Sequence, residues 1–355
     1  MRCAITWICV FSVCMMSLVA CSDTNDNTSD GDVEEENQLV DGDNESEMQE
    51  AAEEDFDAEK IMDGDQDQSE SDMSEAEMEE ENYAPIKPYD CLNDAECTQL
   101  MVASHRGYSK DHPENSVAAL RAAAAIGALF VEVDVRDTLD GKLVIMHDSD
   151  VNRTTDGFGN VSDLTYAELS ALKLNDAEEG NPESYRIPTF SEVLLAAREE
   201  GVMLYVDQKT DRSDLVLEAI QQGQFYEHAL VRAGLDRLLE ISAEDNQVML
   251  MPPVETKEEF ERVLENLPEV KIVEIAMLGA NKEFAEIILN AGVKIQQDTF
   301  AGDMLALVGD YTGWKNYLMA GVLLMQTEMP HLLQPAVNEY NQSGEFPESG
   351  PGDLK

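Results

Sequence analysis

Basic residues are scarce in this chain: 23 Lys and Arg stand against 74 Asp and Glu, a formal charge of −51 over 355 residues. Such a charge repels phosphate backbones and excludes nucleic acid as a partner. Aromatics nearly vanish between residues 22 and 90, where Phe56, Tyr83 and Tyr89 stand among 28 Asp and Glu and two lysines, Lys60 and Lys87. A stretch of that composition cannot bury enough apolar area to offset its ordering entropy, so residues 21–90 read as a disordered acidic linker. Its "DGDQDQSESD" run lacks the turn glycine of a calcium loop and reads as solvated spacer. The chain has no Gly-rich dinucleotide turn. After the first twenty residues no apolar run is long enough to span a bilayer.

Cysteine is sparse too, and the six present are unevenly placed. Cys3, Cys9 and Cys14 fall in "MRCAITWICVFSVCMMSLVAC", which has one positive charge at Arg2, then an apolar stretch, then small residues. Residues 1–20 therefore read as a secretory signal. The ending "LVAC" resembles a bacterial lipobox, in which Cys21 is lipidated and becomes the new N-terminus. The expectation is an exported chain, anchored by lipid to the bacterial cell envelope on its periplasmic or cell-surface side. The charged linker would hold the rest away from the membrane. Cys91 and Cys97 of "CLNDAEC" are a close, even pair in an exported chain and read as a small disulfide loop.

From residue 91 to 340 the composition is that of a folded domain, with 341–355 read as a flexible tail. Eight apolar runs behave as strands: "QLMVASH", "LFVEVDV", "VMLYVDQ", "HALVRAG", "QVMLMPP", "VKIVEIA", "VKIQQDT" and "VLLMQTE". Amphipathic helical patterns separate them, several closing at a glycine: Gly201, Gly292 and Gly321. Eight strands alternating with helices predict an α/β (β/α)8 TIM barrel.

Strand side chains alternate between barrel interior and helix layer. In "LFVEVDVRD" the alternation puts Val131, Val133 and Val135 under the helices, and Glu132 and Asp134 towards the axis. In "VMLYVDQKT" it puts Tyr205, Asp207 and Lys209 inward. Carboxylates meeting near strand C-termini repel unless a cation neutralises them. Glu132, Asp134 and Asp207 thus form a hard-oxygen site suited to calcium or magnesium. His105, at the end of the first strand, and His147, in "IMHD", suit general acid and base work beside it. Arg106 offers a planar fork for phosphate oxygens, and Lys209 a second positive charge. Glu114 and Asn115 precede a helix and read as capping and anchoring residues. His112 lies in a loop and reads as exposed, while His228 and His331 have no surrounding motif and read as structural.

These residues, in this order, resemble the glycerophosphodiester phosphodiesterase family. The pieces are "HRG" at 105–107, "PENS" at 113–116, "EVD" at 132–134, "HD" at 147–148, "NRTTDGFGNVSDLTYAEL" at 152–169 and "IPTF" at 187–190. The resemblance covers most of residues 100–335, strongly to about residue 210. It implies a barrel that hydrolyses glycerophosphodiesters to glycerol 3-phosphate and an alcohol with a divalent metal. His105 and His147 match the acid/base histidines, Glu132 and Asp134 two metal ligands. Asp207 and Lys209, in "DQK", stand where the family usually has Glu-x-Lys. The stretch from "NRTTDG" to "IPTF" corresponds to a small insertion after the second strand, a wall over the mouth for the leaving alcohol. In the family's mechanism the glycerol hydroxyl next to the phosphate attacks phosphorus, and water opens the cyclic phosphate that results. Two late departures stand out. "IQQDTF" replaces a strand end that often carries an aromatic, and "TEMP", with Glu328 and Pro330, replaces Thr-Asp-x-Pro. Two other functions fit the same residues: a related barrel phospholipase of C or D type on intact lipid headgroups, and a surface binding module with weak turnover.

Overall fold

The computed structural model describes residues 87–275 and 282–353. The expected signal, Cys21 and the acidic linker up to residue 86 lie outside the described residues. The chain enters through α1 (Pro88–Asn93), β1 (Met101–Ser104), α2 (Val117–Ile126), β2 (Phe130–Asp137) and β3 (Leu143–Ile145). A stretch with one short helix, α3 (Tyr166–Ser170), leads to α4 (Phe190–Glu200) and β4 (Met203–Gln208). Strands and helices then alternate: α5 (Ser213–Gly223), β5 (Ala229–Arg232), α6 (Leu235–Glu244), β6 (Met249–Met251), β7 (Pro253–Val254), α7 (Lys257–Asn266) and β8 (Ile272–Ile275). The last elements are α8 (Lys282–Asn290), β9 (Lys294–Asp298), α9 (Phe300–Ala306), α10 (Thr312–Met319), β10 (Val322–Thr327) and α11 (Pro330–Ser343).

The strands form one parallel sheet in the order β6-β5-β4-β2-β1-β10-β9-β8-β7, with β3 antiparallel on the outer part of β2. β6 and β7 are two halves of one strand. They part at Pro252, which has no N–H to give to a ladder. β6 pairs with β5 and β7 with β8, so this broken strand joins the two ends of the sheet. Eight barrel positions result, and all eight expected runs occupy them. Gly201, Gly292 and Gly321 follow α4, α8 and α10 as the sequence implies.

The period-two alternation sorts the core into two layers. Val131, Val133 and Val135 pack outward with Val102, Leu204, Val206 and Val231 beneath the helices. Met101, Ala103, Phe130, Met203, Tyr205, Leu230, Met249, Met251, Ile272 and Leu324 fill the barrel interior. Met325 packs in the outer layer. Cys91, Leu92 and Cys97 join the interior cluster from below, at the strand N-termini. Cys91 and Cys97 are disulfide-bonded with Cα atoms 5.3 Å apart, and Lys294 Nζ donates to Asp94 O in the same loop at 2.7 Å. The expected disulfide loop is therefore a floor to the barrel. Threonine capping boxes start α4 at Thr189 and α7 at Thr256, each worth about 1 kcal/mol.

Residues 341–353 differ from the flexible tail expected there. Asn341–Ser343 complete α11, and the Asn341 amide exchanges two hydrogen bonds with the main chain of Leu100. Phe346 is buried. Beyond it, Tyr311 N donates to Glu348 O, Gly350 N to Gly309 O, and Asp353 N to Leu307 O. Asp353 also pairs with Lys110 and His331. One apolar anchor and a run of main-chain bonds hold a segment whose polar composition reads as loose. Among the described residues no helix is long and apolar enough to cross a membrane.

Candidate active site

The inward positions of β2 and β4 bring Glu132, Asp134 and Asp207 together at the barrel mouth, with one carboxylate oxygen from each within 4.8 Å of the others. β2 and β4 run parallel in a register that sets Asp134 beside Asp207. Glu132 and Asp134 are buried and Asp207 is half-buried. Burial, and then the charges of Asp134 and Asp207, push the Glu132 carboxyl well above the usual carboxylate range. Lys209 Nζ contacts Asp207 Oδ2 and lies 3.3 Å from Asp134 Oδ1. Burial opposes its charge, yet Asp207 and Asp134 together raise it. The Lys209 ammonium thus stands against two carboxylates of the cluster. The donor set, three carboxylates converging at the barrel mouth, fits a hard divalent cation.

Two residues at this mouth escaped the sequence reading. Arg232 Nη1 donates to Asp207 Oδ1 at 3.2 Å, while its Nε donates to Glu274 Oε2 at 2.6 Å. Tyr205 Oη donates to the same Glu274 oxygen at 3.1 Å. The signal was available: in "ALVR" and "IVEI" the alternation that buries Leu230 and Ile272 inward also points Arg232 and Glu274 inward.

The loop from β1 to α2 carries the next group. Arg106 adopts a left-handed backbone, φ 55°, which turns its N–H onto Glu132 Oε2 at 2.9 Å. Gly107 follows at φ 77°, and a Cβ there would stand 2.7 Å from Ala119 C of α2. No other residue fits so close an approach. The Arg106 guanidinium reaches Glu114 Oε1 at 3.1 Å and lies 3.6 Å from Asp134 Oδ2. Glu114 and Asn115 do not cap the helix. Ser116 does, accepting from Ala119 N at 3.0 Å. Asn115, with φ 59°, instead donates Nδ2 to Asp134 Oδ2 at 2.9 Å and accepts from Asp134 N.

His147 follows β3, and Met146 N donates to Asp134 O at 2.9 Å, tying the segment to β2. Arg136 Nη2 donates to the His147 carbonyl at 2.7 Å. The imidazole Nδ1 is 2.7 Å from Asp148 Oδ1. Arg153, from the insertion, bridges Asp148 and Glu114: Nε to Asp148 Oδ2 at 2.6 Å, Nη1 to Glu114 Oε2 at 2.7 Å. The Arg153 guanidinium holds Asp148 down at about 2. A continuous chain of ion pairs and hydrogen bonds, Arg106–Glu114–Arg153–Asp148–His147, therefore joins the two histidine loops. Arg153 lies in the quoted "NRTTDG", but sequence separation hides that it spans two loops. Beside it, Lys110, His112, Glu114, Arg153, Asn175 and neighbours line a cavity of about 400 Å³.

His105 lies between two carboxylates. Its Nε2 is 3.8 Å from Glu132 Oε2 and its Nδ1 is 3.5 Å from Glu328 Oε1. The Phe300 ring packs on it at 5.0 Å between centroids. Both late departures of the sequence thus meet at His105. The aromatic missing from the end of β9 enters as the first residue of α9. Of the other histidines, His228 Nδ1 is 3.0 Å from Val202 O, and His331 pairs with Asp353.

The sequence model of the "Glycerophosphoryl diester phosphodiesterase family" matches residues 105–283, just over half of the chain. Glycerophosphodiester phosphodiesterase 1 of Mus musculus is 35% identical over 147 residues, 40% of this chain and 44% of the relative. The glycerophosphodiester phosphodiesterase of Caldanaerobacter subterraneus subsp. tengcongensis is 34% identical over 139 residues, 38% of this chain and 57% of the relative. The chain spans about half the length of these curated relatives. A solved phosphodiesterase from Oleispira antarctica, in complex with the product sn-glycerol-3-phosphate, shares the fold with a TM-score of 0.58 and 24% identity. It covers 69% of this chain and 99% of its own.

Proposed function

This chain belongs to the glycerophosphoryl diester phosphodiesterase family, and on that premise we propose that it hydrolyses glycerophosphodiesters to glycerol 3-phosphate and an alcohol. The observation that carries this reading is the meeting of Glu132, Asp134 and Asp207 at the barrel mouth, with Glu132 Oε2 3.8 Å from His105 Nε2. These carboxylates would hold calcium or magnesium. When bound, such an ion lowers the pKa of a nearby hydroxyl and offsets charge developing on phosphate. The chain's own residues do the rest. Arg106 can turn its guanidinium to phosphate oxygens without leaving Glu114. Lys209, at the same mouth, would add a second positive charge for the phosphate. His105, next to the ligand set, takes the proton of the attacking glycerol hydroxyl through Nε2. His147, its Nδ1 engaged by Asp148, returns a proton to the departing alcohol oxygen. Water then opens the cyclic phosphate with the two roles exchanged. Each histidine accounts for about 10² to 10⁴ in rate.

The insertion, through the cavity beside Arg153, would receive the alcohol. The apolar leader and Cys21 support an exported, lipid-anchored enzyme acting at the cell envelope. The test is release of glycerol 3-phosphate from a panel of glycerophosphodiesters in calcium or magnesium. Turnover should vanish in EDTA and in His105→Ala. Undiminished turnover in either would sink the reading.

A further inference from the structure

We propose that Glu328 is a positioning residue that orients the imidazole of His105, and that buried Asp303 holds Glu328 in place; this rests on the reading of His105 as a proton-transfer group. Glu328 and Asp303 lie beyond residue 283, where the family match ends.

The register of the sheet sets up the contact. β1 pairs with β10 so that Ser104 lies beside Thr327, and His105 N donates to Thr327 O at 3.0 Å. The next residue of each strand end is then His105 on one side and Glu328 on the other. A neutral imidazole carries a single N–H, and the nitrogen that holds it decides which nitrogen accepts a proton. Two carboxylates compete for that N–H. Glu328 is the nearer, at 3.5 Å from Nδ1, against 3.8 Å from Nε2 to Glu132. Placing the hydrogen on Nδ1 leaves the Nε2 lone pair facing the carboxylate cluster, where the attacking hydroxyl must lose its proton.

The side chain of Glu328 is 61% exposed and would wander if its backbone were free. It is not free. Asp303, 4% exposed, collects three donors: Glu328 N at 2.9 Å, Thr327 Oγ1 at 2.7 Å and Trp314 Nε1 at 2.8 Å. Thr327 Oγ1 in turn accepts from Met329 N at 2.9 Å. Trp314 is fully buried. A Cβ on Gly302, beside Asp303, would stand 2.4 Å from the Trp314 ring. The helix pair α9 and α10 is thus packed around this one carboxylate, and its outlet is the turn that carries Glu328.

The experiment compares wild type with Glu328→Gln, Asp303→Asn, His105→Ala and His105→Ala/Glu328→Gln, using glycerophosphocholine at saturating magnesium or calcium. Glu328→Gln should lower kcat about 10- to 100-fold, the range for losing an orienting partner of a site histidine, with KM changed less than about threefold. Asp303→Asn should act in the same direction. Adding Glu328→Gln to His105→Ala should cost nothing more, because the lost partner has nothing left to orient. Nitrogen NMR on substrate-free protein should find the His105 hydrogen on Nδ1 in wild type and redistributed in Glu328→Gln. Unchanged kcat and tautomer in Glu328→Gln, while His105→Ala is dead, would overturn the proposal alone. So would an equal loss from Glu328→Gln in the His105→Ala background. Full turnover in His105→Ala would instead sink the reading of the enzyme, and the tautomer measurement would still decide whether Glu328 sets the ring.

Discussion

Asn115 grips Asp134 with both ends of its amide, donating Nδ2 to Oδ2 at 2.9 Å and accepting from the Asp134 main-chain N–H at 3.2 Å. Both residues are buried, and Asn115 reaches this position from a left-handed backbone that asparagine tolerates better than most residues. Asn115→Ala would leave a buried N–H and a carboxylate oxygen without this partner. The expected loss is about 1–3 kcal/mol of stability. Affinity for calcium or magnesium should fall about 10- to 100-fold, as when an outer partner of a ligand is removed. Isothermal titration with each ion reads this directly. An unchanged affinity would mean that Asp134 does not depend on Asn115 for its orientation.

The backbone of the "HRG" turn gives a second prediction with a built-in control. Gly107 and Gly141 both have positive φ, 77° and 74°, but only at Gly107 would a Cβ collide, 2.7 Å from Ala119 C; at Gly141 nothing lies within 4 Å. Gly141→Ala should cost about 1–2 kcal/mol, the left-handed penalty alone. Gly107→Ala should cost more than that, and the shift of α2 should break the Arg106 N–H bond to Glu132. Urea midpoints of the two variants separate the clash from the conformational cost. Equal midpoints would mean that α2 can give way freely.

The barrel itself was legible from residue types alone, because period-two alternation is a local signal and eight repeats of it leave little freedom. Glu132, Asp134 and Asp207 were legible for the same reason. Arg232 and Glu274 obey the same alternation and were readable, but each carries a charge that ordinarily marks a solvated face. Arg153, Glu328 and Asp303 belong to another class. Their importance lies in contacts between loops far apart in sequence, which no local period records. The tail after residue 341 misled because polar composition stands for disorder only where no main-chain partner is at hand.

Arg153 offers a test of the insertion's part in the site. The side chain is 48% exposed, and pairs at such exposure contribute about 1 kcal/mol or less to stability. Arg153→Met should therefore melt close to wild type. Its effect should fall on Asp148, whose carboxyl the guanidinium holds at about 2, and through Asp148 on the His147 ring. A fall in kcat of about tenfold, without a matching fall in stability, is expected. Equal kcat would show that Asp148 keeps His147 in place unaided.

Asp303 makes the pH dependence of folding predictable in sign. Burial raises its carboxyl from an ordinary 3.8 to about 6, despite the three donors that oppose the shift. A carboxyl with a raised pKa favours the folded state when protonated. Its contribution is present below pH 3.8 and is lost as pH rises through about 6. A shift of this size corresponds to about 3 kcal/mol at most. Asp303→Asn cannot titrate, so the difference between the two stability curves isolates this group from every other acid in the chain. Wild type should lose ground to Asp303→Asn between pH 4 and 6 and run parallel above that. Trp314, whose indole N–H donates to Asp303, reports the same step through its fluorescence without unfolding. Parallel curves throughout would mean that the three donors outweigh burial and that Asp303 stays charged.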